Sequence, residues 1–158
     1  MTDSTYMESP VGRLLLEGDE EGLRRVAFAR DEGEAPRDTS VPGPLQNAVN
    51  QLNAYFAGDL REFNLTLKLA GTPFQLAVWR ALQEIPYGQT TSSGELARRV
   101  GTPKGSRAVG LANGSNPIAI VVPCHRVIGS NGKLTGYGGG LPIKEKLLAL
   151  ERRQLKLL

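Results

Sequence analysis

Two folding patterns meet at Ala70-Gly71, and that junction limits the architectures open to this chain. Before it, Phe63, Leu65, Leu67 and Leu69 alternate with Asn64, Thr66 and Lys68. A period of two is that of a half-buried strand. After it, Thr72-Pro73 starts a helix, since threonine caps well and proline suits the first turn. Phe74, Val78, Leu82 and Ile85 form the apolar stripe of that helix, Trp79 lies near the stripe as a core residue, and Pro86 stops it. The change predicts two units, residues 1–70 and 71–158. A chain of 158 residues has enough length for two small cores.

Charge divides at the same place. Residues 1–70 carry seven Lys/Arg against twelve Asp/Glu, a net −5; residues 71–158 carry twelve against four, a net +8. A basic back half suits a polyanionic partner, and an acidic front half does not. No apolar run reaches the roughly 20 residues of a membrane span. The N-terminus has no basic and apolar leader pattern. A single free cysteine suits a reducing compartment, so a cytoplasmic location is expected. One Cys and one His cannot supply the about four ligands of a structural zinc site. No metal or cofactor is expected.

The front half reads as a scaffold. Val11 to Leu16 is one strand, an acidic turn spans Gly18 to Gly22, and Leu23 to Ala29 is a second strand. Residues 31–44 are polar and proline-bearing, which predicts a loop. Leu45, Val49, Leu52 and Phe56 mark one face of a helix that ends near Gly58.

The back half carries the chemistry. Ser92-Ser93-Gly94-Glu95 has the S-x-x-E pattern of a capping box, followed by a short helix through Leu96, Ala97 and Val100 to Gly101. A turn at 102–105 precedes a second short helix from Ser106 to about Asn113. This is the outline of a helix-turn-helix, loaded with Arg98, Arg99, Lys104 and Arg107 against the single acid Glu95. Pro117 to Pro123 is apolar and predicted to be a buried extended stretch that ends at Cys124. Asn131-Gly132 reads as a hairpin turn. Gly136-Tyr137-Gly138-Gly139-Gly140 is a glycine-rich loop without the GK[ST] of a P-loop.

Cys124 and His125 are the chain's only cysteine and histidine, and they are adjacent. A thiol becomes a good nucleophile when a base or positive charge favours its thiolate; His125 is the candidate base and Arg126 the nearby charge. Neighbouring side chains on a strand point opposite ways, so a relay needs an irregular backbone or a bridging water. In the last helix, opened by Pro142, a rotation of about 100° per residue puts Glu151 inside the arc of Ile143, Leu147, Leu148 and Leu155. A buried carboxylate needs a partner, and a histidine N–H would be one. Lys144 falls in the same arc and is expected to reach solvent or to pair with Glu151.

At Pro-Cys-His-Arg-Val, and over the longer run NPIAIVVPCHRVIGSNGKLTGYGGG, the chain resembles the O6-alkylguanine-DNA alkyltransferases, also called methylated-DNA–protein-cysteine methyltransferases. The resemblance covers nearly the whole chain and is strongest over residues 72–153. It implies an α+β fold. A small antiparallel sheet with a helix, ribonuclease-H-like, would come first, followed by a mostly helical, winged-helix-like domain.

The resemblance also implies stoichiometric repair of O6-alkylguanine, and of O4-alkylthymine, in duplex DNA. Cys124 would be the alkyl acceptor, His125 its base through a water, Glu151 the carboxylate that orients the histidine, and Asn116 the residue that holds the segment before the cysteine. Tyr137, Val127, Gly138, Gly139 and Ser93 would line the base pocket, with the carbonyls of Cys124 and Val127 reading the guanine amino group. Arg107 would fill the gap left by the flipped nucleotide, and Ser93, Gly94, Lys104, Ser106, Ala108 and Arg126 would contact DNA. The chain would act as a monomer without an obligate protein partner, with cooperative assembly on DNA open to it.

Ser93 stands where the family usually has a tyrosine. The front-domain zinc ligands and the regulatory cysteine cluster of some relatives are absent. Two other readings fit the residues: a cysteine hydrolase using Cys124, His125 and Glu151 or Asn116, and a non-catalytic protein that senses alkylated DNA.

Overall fold

The computed structural model describes residues 2–29, 40–129, 137 and 139–156. The residues expected to form the 31–39 part of the loop, the Asn131-Gly132 turn, Gly136 and Gly138 lie outside that set. The chain divides into Met1–Leu69 and Ala70–Leu158.

In the first unit, β1 (Asp3–Met7), β2 (Leu14–Asp19) and β3 (Gly22–Phe28) form an antiparallel meander in the order β1-β2-β3. Leu14 and Leu16 alternate with the half-buried Leu15, so one face of β2 is fully covered. The helix α1 (Gly43–Phe56) supplies the cover with Leu45, Ala48, Val49, Leu52 and Tyr55. Tyr55, not Phe56, closes that face. The polar strand β1 was absent from the expected elements; its register is set by its partner, with Tyr6 opposite Leu15 and Met7 opposite Leu14.

The alternation over residues 63–69 is present in the burial pattern, but the segment forms only one bridge, between Leu67 and Leu23. At Asn64 a side chain takes the place of a ladder partner. The Gln51 side chain accepts from the Asn64 N–H at 2.8 Å and donates to the Asn64 carbonyl at 2.9 Å, as a strand neighbour would.

In the second unit, α2 (Pro73–Leu82) begins with a complete capping box between Thr72 and Gln75. It ends before Ile85, which is buried just beyond the helix. A short strand, β4 (Thr91–Ser92), leads into α3 (Ser93–Arg99), and α4 (Ser106–Gly114) follows as the second helix of the pair. The Ser92 hydroxyl accepts from the Glu95 N–H at 3.1 Å. The reciprocal half of that box is not formed, because the Glu95 carboxylate binds Arg98 at 2.6 Å.

Trp79 is a core residue with a polar anchor: its indole N–H donates to the Ala112 carbonyl at 2.8 Å, which fixes the end of α4 against α2. Cys124–Arg126 forms a 3₁₀ turn, β5 (Val127–Ile128) pairs in parallel with β4, and α5 (Leu141–Lys156) closes the unit.

The segment from Ile118 to Val122 is buried as expected but is not extended. It folds on itself through bonds from Val121 N to Ala119 O and from Val122 N to Ile118 O. Ile120 sits there at φ 71°, a conformation unusual for any β-branched residue. Such backbone strain, of order 1–3 kcal/mol, persists only where surrounding packing enforces it.

Candidate active site

The 3₁₀ turn solves the geometric problem posed by adjacent Cys and His. On a strand their side chains would diverge; on the turn Cys124, His125 and Arg126 are all buried in the second unit. The His125 Nε2 lies 2.6 Å from Glu151 Oε2, and both side chains are fully buried. Glu151 reaches this position from α5, where it continues the buried stripe of Lys144, Leu147 and Leu148. The His125 Nδ1 is also buried and makes no hydrogen bond to the described residues. With Nε2 committed to the carboxylate, Nδ1 is the nitrogen open to accept a proton.

Glu151 is the most heavily bonded group of the site. Its Oε1 accepts from the Gly88 N–H at 3.0 Å and from Arg126 Nε at 2.9 Å, and Arg126 Nη2 reaches Oε2 at 3.1 Å. Burial alone would raise its carboxyl pKa, but the hydrogen bonds from His125 and Arg126 and the Arg126 charge hold it at about 2. Gly88 sits at φ +77°, a conformation that favours glycine, and a Cβ there would press on the Leu155 side chain.

Burial pushes the Cys124 thiol pKa up, opposed by hydrogen bonding to Asn116 and Tyr137 and by the Lys144 charge. The thiol therefore needs a base. His125 is pushed the other way, below its ordinary value. Burial is the main cause, Glu151 opposes it, and the Arg126 and Lys144 charges add to it. A neutral imidazole beside a protonated thiol is the state from which a proton can move from sulfur to nitrogen. The Tyr137 hydroxyl is raised by burial and by Cys124, so it stays a donor.

Asn116 braces the reactive segment, donating to the Val122 carbonyl at 2.8 Å and accepting from the Ile118 N–H at 3.0 Å. Asn113, which sequence reasoning passed over, donates from α4 to the Cys124 carbonyl at 3.4 Å. Its burial follows from its place one turn beyond the buried Val109. Lys144 neither reaches solvent nor pairs with Glu151. It is 1% exposed and donates to the Val127 carbonyl. The two carbonyls expected to read a guanine amino group are thus held by side chains of α4 and α5.

Arg126 requires a correction. It was expected at the DNA surface, but its guanidinium is buried, held by Glu151 and by the Ile85 carbonyl at 2.7 Å, and lies over the Tyr87 ring. Two carboxylate bonds and a carbonyl bond outcompete solvent for its planar fork.

The other expected surface residues lie outside. Lys104, Ser106, Arg107 and Ala108 are exposed at the start of α4, and Ser93 and Gly94 are half-buried at the start of α3. Arg98 and Arg99 are paired with Glu95. Val127 is buried, and Tyr137 and Gly139 are half-buried. Among the described residues, no helix is long and apolar enough to cross a membrane.

A helix-turn-helix in the same unit as a buried thiol next in sequence to an imidazole–carboxylate pair points to a nucleic-acid-linked thiol transferase or hydrolase class. Comparison narrows it. Residues 73–153 match the family described as 6-O-methylguanine DNA methyltransferase, DNA binding domain, and residues 4–69 match its ribonuclease-like domain.

The chain is 56% identical over 155 residues to a methylated-DNA–protein-cysteine methyltransferase of Mycolicibacterium paratuberculosis, covering 97% of this chain and 94% of that one. It is 58% identical over 148 residues to the protein of the same name from Methanosarcina acetivorans, covering 91% and 94%. Among solved structures it is similar to the Mycobacterium tuberculosis O6-methylguanine methyltransferase, with TM-score 0.87, 52% identity and 99% of both chains covered. It is also similar to M. tuberculosis OGT in complex with DNA, with TM-score 0.86, 52% identity and 96% and 93% covered. The chain belongs to the O6-alkylguanine-DNA alkyltransferase family.

Proposed function

We propose that this protein repairs DNA by taking an alkyl group from O6 of guanine onto Cys124, once per molecule. The observation that carries this reading is the buried pairing of His125 with Glu151 at 2.6 Å, on the same turn as the chain's only thiol. Glu151 holds the imidazole with Nε2 as donor. Nδ1 takes the thiol proton, relayed by a water. The thiolate sulfur bonds to the alkyl carbon as the carbon–O6 bond breaks, and the electron pair leaves on the guanine. The proton returns to the guanine, with the Tyr137 hydroxyl donating to the departing base. Guanine is restored and a thioether remains. The C–S bond of a thioether is stable, so the acceptor is consumed.

The target atom lies inside a duplex, so the nucleotide must turn out of the stack at a cost of a few kcal/mol. The exposed Arg107 at the start of α4 is the residue to fill the gap. Lys104 and Ser106 hold phosphates beside it, and Ser93 and Gly94 at the start of α3 meet the target strand. The base then sits against the Val127 and Cys124 carbonyls, Tyr137 and Gly139. The protein acts as a monomer in the cytoplasm on double-stranded DNA bearing O6-alkylguanine, and O4-alkylthymine is a second substrate.

Intact-mass spectrometry after incubation with an O6-methylguanine duplex tests the reading. It predicts a stable gain equal to one methylene. Duplex binding with no adduct would make the protein a lesion sensor. Repeated turnover of an ester or amide with Cys124 recovered free would make it a hydrolase.

A further inference from the structure

Arg126 is a full positive charge in the core of the second unit, and alkyl transfer as described gives it no task. It is 6% exposed. Nε and Nη2 hold the two oxygens of Glu151 at 2.9 and 3.1 Å, and Nη1 donates to the Ile85 carbonyl at 2.7 Å. The guanidinium carbon is 5.6 Å from the centre of the Tyr87 ring. A fork held at three points and packed on an aromatic face has little freedom to rotate. Whatever it binds is fixed with it.

We propose that Arg126 is a positioning residue of the alkyl-transfer site: its two-point grip keeps Glu151 a bare acceptor, which commits His125 to donate from Nε2 and to keep its lone pair on Nδ1. The proposal rests on His125 being the base.

The charges around His125 support it. Glu151 and Lys144 face it from α5, and Cys124 and Arg126 share its own turn. The Gly88 N–H, from the segment between α2 and β4, meets it only through Glu151. Arg126 with Glu151 is neutral overall. A proton on His125 would then add a net positive charge to a buried site that already faces Lys144, so the imidazole stays neutral. Removing the Arg126 charge reverses this. An imidazolium–carboxylate pair would itself be neutral, and His125 would take a proton at higher pH.

The family resemblance put Arg126 among the DNA contacts, while the residues themselves offered it only as positive charge near the thiol. The position of Glu151 inside an apolar arc was the available signal, since a buried carboxylate can recruit a guanidinium as readily as an imidazole.

His125 is the chain's only histidine, so nitrogen-15 NMR of histidine-labelled protein reads it without ambiguity. In the wild type the proposal predicts a neutral ring with the proton on Nε2, persisting well below the ordinary histidine pKa of about 6.5. In Arg126→Gln the titration midpoint should rise by about one pH unit or more, a tenfold gain in proton affinity. The acid limb of the rate of Cys124 alkylation should move with it. Arg126→Lys, a milder change should the first variant fold poorly, keeps the charge and loses the fork. Its ring should stay neutral but populate both tautomers.

A wild-type His125 that titrates near 6.5 would overturn the proposal. So would variants whose tautomer and midpoint match the wild type, because a merely structural Arg126 would change yield and rate but not the ring. These readouts do not depend on alkyl transfer. A protein with this histidine behaviour that never alkylates Cys124 would refute the repair function while leaving Arg126's control of the His125 proton and tautomer standing.

Discussion

Thr91 lies beside Val127 in the parallel ladder that joins β4 to β5. The next pair, Ser92 and Ile128, places the N-cap of the first helix of the helix-turn-helix against the strand that leaves the reactive turn. The element proposed to meet DNA and the element that holds the thiol are therefore joined by one ladder.

Ser92→Ala tests the cap. It removes the hydroxyl that accepts from the Glu95 N–H. A lost N-cap typically costs about 1 kcal/mol. Urea denaturation should show that loss. Duplex binding should weaken more than reaction with free O6-benzylguanine, because the cap orients α3 and not the thiol.

Ser93→Tyr tests nucleotide delivery. Ser93 is the first residue of α3 and is half-buried. Serine at a helix start can bond a phosphate but lacks the bulk to push on it. The tyrosine should speed reaction with O6-methylguanine in duplex DNA more than with the free benzylated base. Equal acceleration of both would contradict the assignment.

Glu151→Gln tests the buried charge cluster. The change leaves the Arg126 guanidinium without its counter-charge inside the protein. Removing one partner of a buried ion pair costs about 3–5 kcal/mol. Denaturation should report a loss of that size, and alkylation of Cys124 should slow because His125 loses its orienting acceptor. A loss below about 1 kcal/mol would place the pair nearer solvent than the structure does.

Acid should destabilise the fold in two windows. The folded His125 holds its proton more weakly than the ordinary 6.5, so below 6.5 the unfolded chain binds a proton that the folded one refuses. Stability falls there as pH falls, by at most about 1.4 kcal/mol per pH unit for one proton. Glu151 is held at about 2 against an ordinary 4.5, so its contribution is present above 4.5 and is lost as pH drops toward 2. Urea midpoints measured from pH 7 downward should decline in both windows. A flat profile between 7 and 5 would contradict the buried neutral imidazole.

The sequence made local features legible where one residue type has one physical use. Thr72-Pro73 had to start a helix. Glu151, a carboxylate inside an apolar arc, had to find a partner. The alternation at 63–69 survives as alternating burial even though the ladder shrinks to one bridge. What escaped depended on tertiary contact. Ile118 to Val122 has the composition of a strand, yet its turns are set by Asn116. Lys144 was expected at solvent or on Glu151, and Arg126 among the DNA contacts; both are buried on partners that local pattern does not show. Their partners, the Val127 carbonyl and Glu151, lie 17 and 25 residues away in sequence.

The account stands most directly on the fate of the Cys124 sulfur. Excess O6-methylguanine duplex should be incubated with a limiting amount of protein, and the modified peptide located by mass spectrometry. The account predicts one methyl group per chain, carried on Cys124, with repair stopping when the protein is used up. Continued turnover with Cys124 unmodified, or a methyl group on any other residue, would contradict it.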